Sequence, residues 1–232
     1  MLSLAQEGCN VVACYRGDAE AAARLEKDLA ATPGKHSVVQ ADVGRADQVA
    51  RLIDECRTGL GSLDVVVHNA GAISHVPFAQ LELTEWQRVL DTNLTGMYLV
   101  LHGALPLMSE GGSVVAIGSK AAMVGVPLRT HYTASKAGVL GLARSLCKEL
   151  GPNGIRINVI APRHHLHPRR RGAQPRAGAA LPQHDRARPA RRAGGDRRRR
   201  AVPGERPLPL HVRRDRARRW RDLRWLTRRC SG

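Results

Sequence analysis

Leu63-Asp64-Val65-Val66-Val67 is a short apolar run that ends on Asn69-Ala70-Gly71, the pattern of a strand delivering a tight turn. Similar runs recur on both sides of it, separated by longer stretches with helical signals. Upstream, Leu2 to Glu7 reads as the last turns of a helix stopped by Gly8, and Asn10 to Tyr15 as a strand. Ala19 to Ala31 is an Ala-rich helix closed by Pro33-Gly34, His36 to Gln40 is a strand delivering Asp42-Val43, and Asp47 to Thr58 is a helix. Downstream, Thr84-Glu85-Trp86-Gln87 has the form of a capping box opening a long helix that extends as far as Met108. Gly112 to Ile117 is a strand, His131 to Leu150 a helix ended by Gly151-Pro152, and Ile155 to Ile160 a strand. Strands alternate with helices throughout, so the expected class is α/β with a parallel sheet. No apolar run has membrane-spanning length and no signal peptide is apparent; the expectation is a cytoplasmic protein with no membrane partner.

Tyr132 and Lys136 lie four residues apart in Tyr-Thr-Ala-Ser-Lys, which on a helix stacks phenol and ammonium on one face. A tyrosine hydroxyl, with an ordinary pKa of ~10, exchanges protons at neutral pH only beside a positive charge. Lys136 supplies that charge, and Ser119, at the end of an apolar run, can hydrogen-bond the oxygen being reduced or oxidised. By itself a Tyr-x-x-x-Lys pair is usually a solvated helix face; its neighbours make it specific.

Those neighbours are Asn69-Ala70-Gly71, Asn93 within Asp91-Thr92-Asn93-Leu94-Thr95-Gly96, Ile117-Gly118-Ser119, and Ile157 to Pro162. In this order and spacing, residues 1 to 162 closely resemble the short-chain dehydrogenase/reductase family. The resemblance implies a Rossmann-type doubly wound parallel sheet and places the family's catalytic tetrad on Asn93, Ser119, Tyr132 and Lys136. It implies that Tyr132 donates a proton to the substrate oxygen and Ser119 orients that oxygen. Lys136 then favours the ionised phenol and binds the nicotinamide ribose, while Asn93, through its backbone, holds a water that links the lysine to solvent. The implied cofactor-binding residues are Arg16, Asp42, Val43, Asn69, Ala70, Gly71, Tyr132, Lys136 and Pro162.

Arg16 follows the strand where an acidic residue would bind an NAD ribose and a basic one accommodates a 2′-phosphate, which favours NADP (as NADPH) over NAD. The implied activity is reduction of a small-molecule carbonyl to an alcohol by an enzyme that assembles as a homotetramer or dimer. Ala116 to Tyr132 looks like ketoreductases of aromatic polyketide (angucycline-type) antibiotic pathways, and also like 3-oxoacyl-carrier-protein reductases. The family, however, opens with a strand and a glycine-rich turn whose amides hold the cofactor's phosphates. This sequence begins inside the helix that such a turn introduces, as a misplaced start or a truncation would. The expected sheet therefore lacks its first, central strand, with exposed neighbouring edges and most of the pyrophosphate site gone, which puts the activity of the chain as written in doubt.

Composition divides the 232 residues in two. The net charge is +17, yet residues 1–162 hold 14 Lys+Arg against 15 Asp+Glu, whereas residues 163–232 hold 23 Arg, no Lys and 5 acids. Read one base further on, the codons of the Arg-rich stretch permit family-like residues. Arg163 permits Gly, Ala193 to Arg197 permit Pro-Glu-Glu-Ile-Ala, and Trp220 before Arg221 must give Gly. Residues 163–232 are thus expected to be an out-of-frame, disordered tail, and one extra or missing base at the Pro162 codon decides the matter. His164-His165-Leu166-His167 lacks the acids or cysteines of a metal site, and no metal is expected. Arg197 to Arg200 would attract polyanions in a salt-dependent way without reading a nucleic-acid sequence. The rival readings are therefore a non-enzymatic polyanion binder and an inactive truncated product. Cys9, Cys14, Cys56, Cys147 and Cys230, odd in number and without Cys-x-x-Cys spacing, give no disulfide framework.

Overall fold

The structure, a computed structural model, describes residues 1–162 and, by its backbone, the strand Arg224–Arg228. The tail's expected disorder, its His164 to His167 cluster and its Arg197 to Arg200 run lie outside the described residues, as does Cys230. Six strands are described: β1 (Asn10–Tyr15), β2 (His36–Gln40), β3 (Leu63–His68), β4 (Met108–Ile117), β5 (Arg156–Ile160) and β6 (Arg224–Arg228). They form one sheet in the order β2-β1-β6-β3-β4-β5. The pairs β1–β2, β3–β4 and β4–β5 are parallel, in the doubly wound arrangement expected from the sequence.

The exception is β6, which runs antiparallel to both β1 and β3. The sequence led us to expect an open central slot and a tail that takes no part in the fold. Instead Val12 and Val66 face Leu226 from opposite sides, and Arg224–Arg228 occupies the slot. The reason is backbone accounting: β1 and β3 turn unpaired N–H and C=O groups toward a gap one strand wide, and an extended five-residue segment satisfies both rows. A single strand inserted between two others can do so in either direction.

Among the described residues, seven α-helices flank the sheet: α1 (Leu2–Gln6), α2 (Ala19–Ala30), α3 (Ala46–Leu60), α4 (Leu83–Leu90), α5 (Gly96–Ala104), α6 (Ala121–Val124) and α7 (Thr130–Leu150). Alternation along β1 sends Val12 and Cys14 into the larger core with Leu52, Ile53, Val100 and Val139. Val11 and Ala13 enter the smaller core with Ala5, Leu25 and Leu29. Strand β4 starts earlier than expected, at Met108, with a register irregularity between Leu63 and Val65 on its neighbour.

The long helix expected from Thr84 is three pieces: α4, a π turn over Asp91–Thr95, and α5. The expected capping box does not form, because α4 begins at Leu83 with Glu82 as its cap and no side-chain capping bond. The Gln87 amide, which would reach back in such a box, donates instead to Asp91 Oδ1 at 2.8 Å. Gly96, where the π turn passes into α5, is fixed by close approach: a Cβ there would stand 2.8 Å from Val43 Cγ2 and 3.0 Å from the Val43 carbonyl. That contact sets α5 against the loop following β2. Among the described residues no helix is long and apolar enough to cross a membrane.

If β6 closes the slot, removing residues 224–228 should speed amide exchange in Asn10–Tyr15 and Leu63–His68 by tenfold or more while leaving Arg156–Ile160 unaffected. Unchanged exchange in β1 and β3 would show that this strand contributes nothing to the sheet.

Candidate functional site

The carboxyl ends of the parallel strands collect the residues singled out from the sequence, as expected for an open α/β sheet. The arrangement turns on Asn93. Asp91–Thr95 widens into a π turn, a local change that recurs at functional sites because it re-aims side chains and frees backbone groups. Asn93 is fully buried. Its Oδ1 accepts from the Ala72 amide at 2.6 Å, and its Nδ2 donates to the Ala72 carbonyl at 3.0 Å and to Ser135 Oγ at 2.8 Å. Ser135 Oγ in turn donates to the Tyr132 carbonyl at 2.8 Å. One carboxamide thus joins the loop after β3 to the helix bearing Tyr132 and Lys136, which excludes the alternative of an exposed polar group in mid-helix.

Lys136 is 3% exposed, and its Nζ donates to the Ile117 carbonyl at 2.6 Å. This bond ties α7 to the end of β4, two residues before Ser119. Burial lowers the Lys136 pKa from the ordinary 10.5 to about 8. Gly71 joins the same cluster: a Cβ on it would lie 3.7 Å from both Lys136 Nζ and Asn93 Oδ1. Ser119 is buried, and its Oγ accepts from the Ala121 amide at 3.2 Å, in the turn that leads into the short α6. That bond occupies one acceptor position and leaves the hydroxyl proton for another partner. Tyr132 is half-buried in the first turn of α7.

The residues expected to hold a cofactor fall into two groups. Arg16, exposed, directly follows β1, and its carbonyl accepts from Gln40 Nε2 at 3.0 Å. Asp42 and Val43 lie just past β2, after Ala41; Asp42 Oδ1 accepts from the Gly44 amide at 2.9 Å, shaping a turn rather than capping α3. Asn69, Ala70 and Gly71 follow β3, two strand positions from β1 and three from β2, a span of ~10–15 Å. These two ends suit the ribose ends of an extended dinucleotide. Between them, no glycine-rich strand-to-helix turn stands among the described residues to bind phosphates. Pro162 follows β5 and is exposed. Among the described residues no group of His, Cys, Asp and Glu could hold a metal ion.

The sequence reading missed a second set of polar residues beside Tyr132. His131 is fully buried, with Nε2 2.7 Å from Ser74 Oγ, and Ser74 Oγ donates to Glu85 Oε1. Arg88 grips the same carboxylate with two bonds of 2.6 and 2.7 Å. Those bonds, with that from Ser74, hold the Glu85 pKa down to about 2. Burial lowers the His131 pKa. The only local sign was a histidine preceding the tyrosine; its partners are 57 and 46 positions away in sequence.

Comparison with known proteins bears out the family resemblance. The profile described as "Enoyl-(Acyl carrier protein) reductase" matches residues 2–198. The chain is 37% identical over 163 residues to a 3-oxoacyl-[acyl-carrier-protein] reductase of Staphylococcus aureus, covering 69% of this chain and 66% of the relative. It is 35% identical over 164 residues to an L-rhamnose 1-dehydrogenase (NAD(P)(+)) of Azotobacter vinelandii, covering 68% and 64%. Among solved structures, a short-chain dehydrogenase of Burkholderia cenocepacia in complex with NADP superposes with a TM-score of 0.66 at 29% identity, covering 69% of this chain and 66% of that one. The chain therefore spans slightly less than two thirds of the length of these relatives.

Burial of Lys136 carries a cost with a defined pH window. Between about 8 and 10.5 the unfolded chain binds the lysine proton and the folded one releases it. The cost is thus full below about 8 and fades as pH rises toward 10.5. Lys136→Met should raise thermal stability at pH 7 by roughly 1–3 kcal/mol, with the gain shrinking by pH 10. A destabilised Met variant at pH 7, or a gain that does not change with pH, would contradict it.

Proposed function

We propose that this chain, which belongs to the short-chain dehydrogenase/reductase family, is built to reduce a carbonyl group to an alcohol with NADPH as reductant. The observation that carries the reading is the joint burial around Gly71 of Asn93, from the π turn, and Lys136, from the helix that also bears Tyr132, beside the strand that delivers Ser119. A bound nicotinamide would supply the hydride. Tyr132 supplies the proton from its phenol to the carbonyl oxygen, and Ser119 uses its free hydroxyl proton to orient that oxygen. Lys136, with its pKa near working pH, holds a proton beside the tyrosine and contacts the nicotinamide ribose. Asn93 fixes the loop of Ala72 against α7, and the backbone opened by the π turn offers a place for a relay water.

Arg16, with Asp42 and Val43, would hold the adenosine end of the cofactor, and Asn69, Ala70, Gly71 and Pro162 the nicotinamide end. A 3-oxoacyl thioester is the substrate class we favour, because the S. aureus relative is named for that reaction; the likeness of Ala116 to Tyr132 to polyketide ketoreductases is consistent with it. A homodimer or homotetramer is the assembly we propose for the enzyme. Residues 163–232 are taken to be the out-of-frame segment, and the 232-residue chain alone is proposed to bind NADPH weakly, since its sequence contains no glycine-rich phosphate turn.

The test uses residues 1–162 joined to the opening strand, glycine-rich turn and C-terminal segment of the S. aureus relative. In that enzyme Tyr132→Phe should lower kcat by ~10²–10⁴-fold and leave the NADPH dissociation constant within a few-fold, because only the proton donor is lost. A Phe variant within a few-fold of the parent rate would remove Tyr132 from the mechanism. Arg16→Asp should reverse the preference for NADPH over NADH, since a guanidinium pairs with a 2′-phosphate and a carboxylate repels it. Equal catalytic efficiency with both cofactors in the parent would refute the NADP assignment.

A further inference from the structure

Tyr132 stands in a helix turn that lacks the usual anchors. The first N–H groups of any helix have no partner within it, and α7 starts at Arg129 with no side-chain cap and no acidic residue in its first turn. Leu128, just before it, has a positive φ of 65°, a conformation that costs a leucine energy and persists only when its surroundings impose it. Three cross-links impose it. The Val76 amide donates to the Leu128 carbonyl at 2.9 Å, Arg129 Nε donates to His75 Nε2 at 2.8 Å, and His131 Nε2 lies 2.7 Å from Ser74 Oγ. Residues 74, 75 and 76 thus engage 131, 129 and 128 in turn, a short zipper between the loop after β3 and the start of α7.

Hydrogen-bond direction fixes the chemistry of the zipper. Ser74 has one hydroxyl proton and gives it to Glu85, which Arg88 holds ionised. Ser74 Oγ can then only accept from His131, so His131 carries a proton on Nε2, and burial disfavours a second one on Nδ1. His131 Nδ1 is a buried acceptor with no partner. His75 Nε2 accepts from Arg129 Nε at 2.8 Å.

We propose that His131 is a positioning residue: as the Nε2–H tautomer, it fixes the first turn of α7, and with it Tyr132, to α4 through Ser74 and Glu85. The charged groups around it divide in sign, Glu85 favouring an imidazolium and Arg88 and His75 opposing it, with burial the largest influence. Because burial lowers the folded pKa below the ordinary 6.5, the stabilisation is complete above about 6.5 and is lost as pH falls through the lower folded value. A proton added to His131 Nδ1 would have no acceptor among the described residues, so acid weakens the His131 link.

The inference rests on Tyr132 being the proton donor, but its test measures position rather than turnover, so either reading can fail without the other. In the ¹⁵N-labelled 232-residue chain, the His131 ring at pH 8 should show the Nε2–H pattern and should titrate below pH 6.5. Exchange of the Thr133 amide, which donates to the Arg129 carbonyl at 2.8 Å, reports the turn itself. His131→Leu and Ser74→Ala should speed it at least tenfold, with Val139 farther along the helix unchanged. His131→Gln, which returns a non-titrating N–H donor near the Nε2 position, should bring Thr133 back to within threefold of the parent and abolish its acid sensitivity. If His131→Leu does not fold, Ser74→Ala carries the comparison. An Nδ1–H tautomer, an imidazolium at pH 8, Thr133 exchange within twofold in Ser74→Ala, or no recovery with Gln would each overturn the proposal.

Discussion

Asn93 reaches Ala72 and Ser135 together only because the helix that carries it widens at Asp91–Thr95. In a regular α-helix each backbone carbonyl is spoken for by the amide four residues on. The π turn breaks that register for one turn and lets a buried carboxamide satisfy donor and acceptor positions on two other elements. A buried amide without these partners would cost the full desolvation of its polar atoms, so the bonds to Ala72 and Ser135 are requirements rather than embellishments. Once they are made, the loop after β3 and the face of α7 have a fixed separation. Gly71, Lys136 and the zipper at Ser74 inherit their placement from it.

The sequence displayed the strands well because their boundaries are local. β1 and β2 occur where apolar runs meet Gly, Arg or Asp, and their observed limits coincide with the expected ones. The continuous helix from Thr84 was not correctly legible. Helical periodicity does not register a single widened turn, and Asp91-Thr92-Asn93, all modest helix formers, were the only local sign of it. The capping box was misleading for a related reason. Gln87 had the right spacing to reach back to Thr84, but its amide donates instead to Asp91 Oδ1 one turn on, at 2.8 Å, and the helix begins before Thr84. Asn93, Ser119, Tyr132 and Lys136 were visible because each lies in its own short motif. His131 was not, since its meaning depends on two residues from separate elements.

Lys136 and His131 show opposite uses of burial beside the same tyrosine. For Lys136, removal from water disfavours the charge and brings the pKa to about 8, where small changes in surroundings alter its protonation. For His131 the same desolvation favours the neutral ring, which keeps an N–H on the nitrogen that faces Ser74. The site thus surrounds Tyr132 with one group poised to exchange a proton and one held from doing so. Stability is given up at Lys136, where one carbonyl bond does not replace the water an ammonium loses.

The sheet poses a separate question, because satisfying its backbone and equipping it for a dinucleotide are different tasks. A parallel strand between β1 and β3 would end on the side of the site, and the turn that follows it would present amides to a phosphate. β6 makes the same number of neighbours but runs the other way. Arg224, its first residue, pairs with Cys14 near the site, and Arg228, its last, pairs with Asn10 at the far end. An antiparallel strand therefore closes the hydrogen-bond ledger of β1 and β3 while bringing to the site the beginning of a strand rather than its end. The core and the residues around Tyr132 depend only on the first task. Binding of a dinucleotide would depend on the second.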